Sequence, residues 1–168
     1  GYAFLGWFTQ ETGGTQVDGN TVFKEVASTT YYAHWEEATV FSVVVPAVLP
    51  VTVDQNGKVY VSNAEIVNHS TAAVQVSSVT LTAENGWTLV PYASDMSHAK
   101  VDSNQIGFKI NSAQTSKTGS TEQFELTSPW QIAEEESLTL TYDAVVSALS
   151  QPVTNANILC VLFVVEWA

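Results

Sequence analysis

The chain has 168 residues, 45% of them hydrophobic and 13% charged, with 17 acids, five lysines, no arginine and a net charge of −12. That length accommodates one real core and a small appendage. The acid excess and the want of clustered cations exclude nucleic acid and anionic membrane surfaces as partners. No stretch approaches the ~20 apolar residues of a membrane span, so no membrane insertion is expected. A single cysteine, Cys160, excludes an internal disulfide scaffold.

Period-two alternation dominates the chain and helical patterning is nearly absent. In chain order the expected strands are 21–26, 29–35, 40–45, 49–53, 58–61, 65–69, 73–83, 87–90, 105–110, 122–126, 137–148 and 157–167. Turn signals separate them at Asp18-Gly19-Asn20, Asp54-Gln55-Asn56-Gly57, Glu84-Asn85-Gly86 and Lys117-Thr118-Gly119-Ser120. Asn-Gly supplies positive φ at little cost, as tight turns require. Short strands with regular turns predict an all-β fold, an antiparallel β-sandwich. The acidic pair Glu36-Glu37 ends a strand and marks a boundary, giving a small segment over 1–36 and the sandwich over 37–168. Within 73–83 the apolar phase changes between Val76 and Val79, which predicts a bulge near Ser77-Ser78. The last strand, 157–167, is apolar enough to read as central in its sheet, with Cys160 as a small core residue.

The N-terminal residues carry a motif. Gly1-Tyr2-x-Phe4-x-Gly6-Trp7 is followed by Gly13-Gly14-Thr15-x-Val17 and then by Thr29-Thr30-Tyr31-Tyr32-Ala33-His34-Trp35. This order resembles the second half of a B-repeat (the Listeria–Bacteroides repeat), a β-grasp-like module of secreted bacterial surface proteins. Tyr2, Phe4, Gly6, Trp7, Tyr32, Ala33 and Trp35 are its pattern residues here. The resemblance implies an extracellular or cell-wall location and a truncated β-grasp-like segment. It also implies that the chain is a piece cut through a repeat. A half repeat cannot bury its own apolar face, so 1–35 is expected to lean on the following domain or on a neighbouring chain, with self-association through the truncated repeat. The remaining residues, from Leu49-Pro50-Val51 through Ala64-x-Ile66-x-Asn68-x-Ser70 to Gly86-Trp87-Thr88-Leu89, resemble β-sandwich domains of bacterial surface and biofilm-fibre proteins.

For ligands, the aromatic residues come first. Trp87-Thr88-Leu89 matches a short W-x-L signature of non-covalent peptidoglycan attachment, against the reading of a Trp that starts a strand and packs in the core. Trp130 follows Ser128-Pro129 in an expected loop and is the best candidate for an exposed, sugar-stacking ring; Trp7 and Trp35 read as core. His34, His69 and His98 share no metal-ligand spacing, so no metal site is expected. Asp54-x-Asn56-Gly57 is explained by a hairpin turn, although a calcium ion gathered by Glu134-Glu135-Glu136 and Asp143 is a second reading. Lys58 with Asn155 or Asn157 is a conceivable isopeptide pair, against a solvated lysine. No acid stands in an apolar frame that would tune it for catalysis, and no nucleophile has a base at motif spacing. The expectation is a non-catalytic surface or secreted module without cofactor, acting as structural spacer or in adhesion, with cell-wall glycan or a host or self surface protein as partner. A carbohydrate- or peptidoglycan-binding module and a self-assembling fibre subunit are the alternatives.

Overall fold

The computed structural model describes residues 1–22, 28–54, 59–153 and 156–168. Alternation becomes strand over much of the chain, with several strands shorter than expected, such as Val43–Val44 within 40–45. Among the described residues the one helical turn is a 3-10 turn at Met96–His98, opened by the Asp95 carboxylate accepting from the Ser97 N–H. The chain divides into two compact units, Gly1–Val40 and Phe41–Ala168.

In the first unit β1 (Tyr2–Phe8) pairs antiparallel with β2 (Gln16–Val17) and β3 (Tyr32–Glu37). The acidic pair Glu36-Glu37 does not end the strand: both acids lie in β3, opposite Ala3 and Tyr2. Among the described strands β3 lies at an edge, where acids are tolerated because their side chains reach water. The strand expected over 21–26 falls mostly outside the described residues.

The second unit runs β4 (Val43–Val44), β5 (Val51–Val53), β6 (Val59–Val61), β7 (Ala64–Asn68), β8 (Val74–Ala83), β9 (Thr88–Leu89), β10 (Gln105–Ile110), β11 (Ala113–Gln114), β12 (Thr121–Ile132), β13 (Ser137–Leu140), β14 (Tyr142–Val146) and β15 (Leu159–Trp167). The sheets are β12-β8-β15, β11-β10-β14 with β9 beside β10, β13-β7-β4, and the ribbon β5-β6. Only the β9–β10 pairing is parallel among the described strands. The inward rows share one core: Val74, Val76, Val79 and Leu81 of β8 meet Ile106, Phe108 and Ile110 of β10, Tyr142, Ala144 and Val146 of β14, and Ile66 of β7. This is the all-β, sandwich-like arrangement that the alternation requires.

Three local devices shape it. Ser77 is an extra residue in β8: Ser78 stands opposite Val164 and Val76 opposite Val165, so the register shifts where the apolar phase changes. The expected strand over 137–148 breaks at Thr141, because its halves serve different sheets. β13 pairs with β7, β14 pairs with β10, and Asn111 exchanges hydrogen bonds with the Thr141 backbone at the corner. The third device is a polar staple in the core. Asn68 is fully buried; the two hydrogens of its amide nitrogen are shared among the carbonyls of Ala72, Ile132 and Ala133, and its oxygen accepts from the Ser70 N–H. Ser70, equally buried, exchanges hydrogen bonds with the Ser42 backbone. Together they tie the 69–73 turn to the end of β12 and to the approach to β4.

The terminal strand differs from its sequence reading. β15 lies at an edge, not in the middle, and β8 is its only strand partner among the described residues. Cys160 is exposed, because it stands in the outward phase of β15, on the face of the sheet turned away from the core.

Asn68→Ala would remove the amide that the Ala72, Ile132 and Ala133 carbonyls share and the acceptor of the Ser70 N–H. We expect a loss of about 2–4 kcal/mol in the cooperative urea unfolding of the larger unit, followed by circular dichroism.

Candidate functional site

The sequence-predicted rings of the larger unit lie inward. Trp130 is only 9% exposed; its indole N–H donates to the Ser112 hydroxyl at 2.9 Å and its ring lies 6.5 Å from that of Phe163. It is not the exposed ring that Ser128-Pro129 ahead of it suggested. β12 continues through those two residues, and the register beyond them sets Trp130 opposite Val76 in the core. Trp87 is half-buried against the same core, and Leu89 of the W-x-L match is fully buried in β9. Trp87 follows a tight turn in which Asn85 and Gly86 both have positive φ and the Trp87 N–H donates to the Glu84 carbonyl. No ring contact joins Trp87 and Trp130 among the described residues.

The exposed rings are in the smaller unit. Strand alternation places Tyr2 and Phe4 on one face of β1, and the register sets Trp35 opposite Phe4 and Glu37 opposite Tyr2. A bulge between Phe4 and Gly6 resets the phase, so that Trp7 returns to this face beside Val17 and Ala33. Phe4 sits between two indoles, 4.9 Å from Trp35 and 5.9 Å from Trp7, tilted to the first and edge-on to the second. Such offsets suit the quadrupoles of the rings. Even so, Tyr2 is 73%, Trp35 58%, Trp7 51% and Phe4 49% exposed. Tyr2 and Trp35 line a shallow concavity together. Trp7 and Trp35, read from sequence as core, are therefore surface residues: a three-stranded sheet stacks its rings on one another without enclosing them.

The opposite face is tied down locally. The Phe8 and His34 rings stack at 4.1 Å, and His34 Nε2 lies 2.9 Å from the Gln10 carbonyl. At the bulge Gly6 has φ +130°, and the Gln16 amide donates to the Leu5 carbonyl across the place where a Cβ would stand. Gly6 was legible in the motif; its reason is this backbone geometry.

Among the described residues no group of three or more His, Cys, Asp or Glu could hold a metal ion. Two of the four acids considered for calcium are engaged elsewhere: Asp143 accepts from the Tyr92 hydroxyl and the Ala144 N–H, and Glu135 pairs with His69. Lys58 and Asn155 lie outside the described residues; Asn157 offers its carbonyl to Asn85. No helix is long and apolar enough to cross a membrane.

The perturbed titrating groups each serve a turn or a clasp. The hydroxyl of Thr21 and the N–H of Asn20 hold Asp18 below the ordinary carboxylate range. Ser97 does the same for Asp95, and Ser150 for Asp102. The Asp143 carboxylate, accepting from the Tyr92 hydroxyl at 2.7 Å, raises the Tyr92 pKa. Glu122 is a buried acid sequence reasoning passed over. It accepts from the Ser116 N–H and hydroxyl at 2.9 and 2.5 Å and from the Lys117 N–H at 3.4 Å, closing the 115–120 loop. Its signal in sequence was only its place in the apolar phase of β12.

The chain matches no protein-family model, and comparison with curated proteins and with solved structures finds no match either.

Gly6→Ala would force a side chain into a strained backbone region. We expect the smaller unit to lose about 1–3 kcal/mol, read as faster amide exchange across β1. The Tyr92–Asp143 bond holds Tyr92 neutral in the folded state, so its contribution is present below the ordinary tyrosine value of 10.0 and is lost as pH rises through the raised folded value. Absorbance titration at 295 nm should show a late tyrosine ionisation that vanishes in Tyr92→Phe.

Proposed function

We propose that the chain is a non-catalytic module of a bacterial cell-surface or secreted protein, with spacer and adhesion roles, in which the smaller unit makes the contact. The carrying observation is the face formed by Tyr2, Phe4, Trp7 and Trp35, each about half exposed or more. A contiguous apolar patch of this kind is a place where a soluble protein meets something else. The order of these residues along the chain, with Gly13-Gly14 and Tyr32-Ala33-His34-Trp35, supports reading the unit as half of a B-repeat, and with it an extracellular setting. Rings packed edge-on and tilted offer a ridged surface, which suits the side chains of a protein partner better than the flat face of a sugar. The occupant is therefore an apolar surface of another protein on the same or a host cell. The acidic remainder keeps the module soluble and free of anionic polymers.

A glycan reading has one observation in its favour. Tyr2 and Trp35 share a shallow concavity, with Glu37 at the neighbouring register position as an acceptor for hydroxyl groups.

Beads coated with the protein, offered to intact bacterial cells, to the same cells shaved with protease and to purified peptidoglycan sacculi, separate these readings. Binding to intact cells that is lost on shaving and lost in a folded Trp35→Ser variant is the expected result. Binding that survives shaving and extends to sacculi, with the same mutational loss, would establish the glycan reading. Binding indifferent to Trp35→Ser would remove the aromatic face from either.

A further inference from the structure

The sheet β12-β8-β15 has two edges, and they are built oppositely. β12 carries Glu122, Glu125 and Pro129, and its register against β8 is broken between Glu125 and Trp130. Charge, proline and irregularity are the usual means by which an edge resists pairing with a further strand. β15 has neither charge nor proline in its central stretch, and its one register shift, between Val164 and Val165, answers the extra Ser77 of β8 and inserts no residue in β15 itself. It runs nine residues, Leu-Cys-Val-Leu-Phe-Val-Val-Glu-Trp, with no proline, no lysine and one acid, Glu166. At ~3.3 Å per residue it presents about 30 Å of extended backbone. Its outward side chains include Leu162 at 59% and Val164 at 44% exposure. Its inward residues Leu159, Val161, Phe163 and Val165 are only partly buried, whereas the inward row of β8, flanked on both sides, is fully shut from water. One more strand alongside β15 would give its inward row the enclosure that β8 already has.

We infer that β15 pairs with β15 of a second copy of this chain, antiparallel about a two-fold axis at Phe163, joining two sheets into one. This rests on the larger unit alone and is independent of the role given to the aromatic face. The second copy is favoured by the symmetry of the strand, and the contact itself is nearly free of the chain's charge. The chain is strongly acidic, and β15 contributes only one of its 17 acids. Centring the pair on Phe163 sets Leu162 opposite Val164, Val161 opposite Val165 and Glu166 opposite Cys160. The two Glu166 carboxylates are then six residues apart along the strand direction, about 20 Å. Apolar residues meet apolar residues, and like charges stay apart. An isologous contact of this kind closes at the dimer instead of propagating.

Sedimentation velocity of the intact chain over a range of concentrations and salt tests the proposal. The expected result is a monomer–dimer equilibrium that strengthens as NaCl rises, because the remaining charge of the two copies repels and salt screens it. Leu162→Lys, at an exposed position, should weaken the dimer by at least about tenfold without altering the circular dichroism spectrum. Adding Val164→Glu to it should restore dimerisation, since Lys and Glu then face each other twice across the axis. A wild-type monomer throughout, or a dimer unaffected by Leu162→Lys and abolished by Trp35→Ser, would overturn the proposal. Association that weakens with salt would also overturn it, since that dependence belongs to pairing of opposite charges. Loss without rescue would overturn the Phe163-centred register.

Discussion

The larger unit depends on the extra residue in β8. With an unbroken period of two, a strand that turns Val74 and Val76 inward would follow them with Ser78, Thr80 and Thr82, a hydroxyl row facing an apolar core. The bulge at Ser77 replaces that row with Val79 and Leu81, both fully buried. Because β8 lies between two strands, each neighbour has to absorb the change. β15 does so between Val164 and Val165, and β12 does so over the stretch from Glu125 to Trp130. Phe124 and Phe163 then flank Val79, while Trp130 and Val165 flank Val76. The inward place of Trp130 is thus a consequence of a serine on the next strand.

Buried polar groups do a second job that apolar packing leaves undone. Hydrophobic contacts are non-directional and would tolerate several positions for the loops at the ends of the sheets. The Asn68 amide admits one, because its two N–H hydrogens, shared among three carbonyls, and its accepting oxygen fix the 69–73 turn and the end of β12 at once. Glu122 fixes the 115–120 loop in the same way, with its carboxylate receiving N–H and O–H donors as it leaves water. Tyr142 contributes a third tie: its hydroxyl donates to the Pro50 carbonyl and accepts from the Ser62 N–H, joining β14 to both strands of the β5-β6 ribbon at its open end. Each is costly if half made, so each makes one arrangement of the loops much better than its neighbours.

What the sequence discloses follows from the range of the interactions concerned. Alternation is local, so 105–110 is recovered to the residue and the phase change at Ser77 is visible without any partner strand. Strand order is not local. An apolar run such as Leu159–Trp167 reads the same at an edge as in the middle, and only the pairing shows that Cys160 and Leu162 have water beside them. The Ser128-Pro129 signal misleads for a related reason. Proline is tolerated at an edge because a missing N–H there costs no ladder bond, so a loop signal became part of a strand. In the smaller unit the rings of Phe4, Trp7 and Trp35 lie against one another, yet their exposure depends on how many layers surround the sheet, which no residue type states. Glu122 and Asn68 were the least legible, since a polar residue in apolar phase announces burial only when its donors are known.

The exposed apolar surface of this chain comes in two forms with different physics. On the smaller unit it is a face. The rings of Phe4, Trp7 and Trp35 satisfy one another in part, and any occupant must match their relief, which confers selectivity through shape. On the larger unit it is an edge. There the backbone itself is the recognised group, any extended strand offers the complementary donors and acceptors, and selectivity has to come from what the side chains forbid. The acids of this chain are distributed in keeping with that difference. Glu36 and Glu37 stand on the β3 edge of the aromatic sheet, and Glu122 and Glu125 on the β12 edge, while the central stretch of β15 has no charge at all. A chain with so large an acid excess could have placed one more carboxylate at Leu162 or Val164 at no expense to its core, because both side chains already face water. Leaving them apolar keeps the β15 edge able to pair, and the surrounding negative charge then selects against basic-free competitors less than against close approach itself, so that salt and concentration set how often the edge is used.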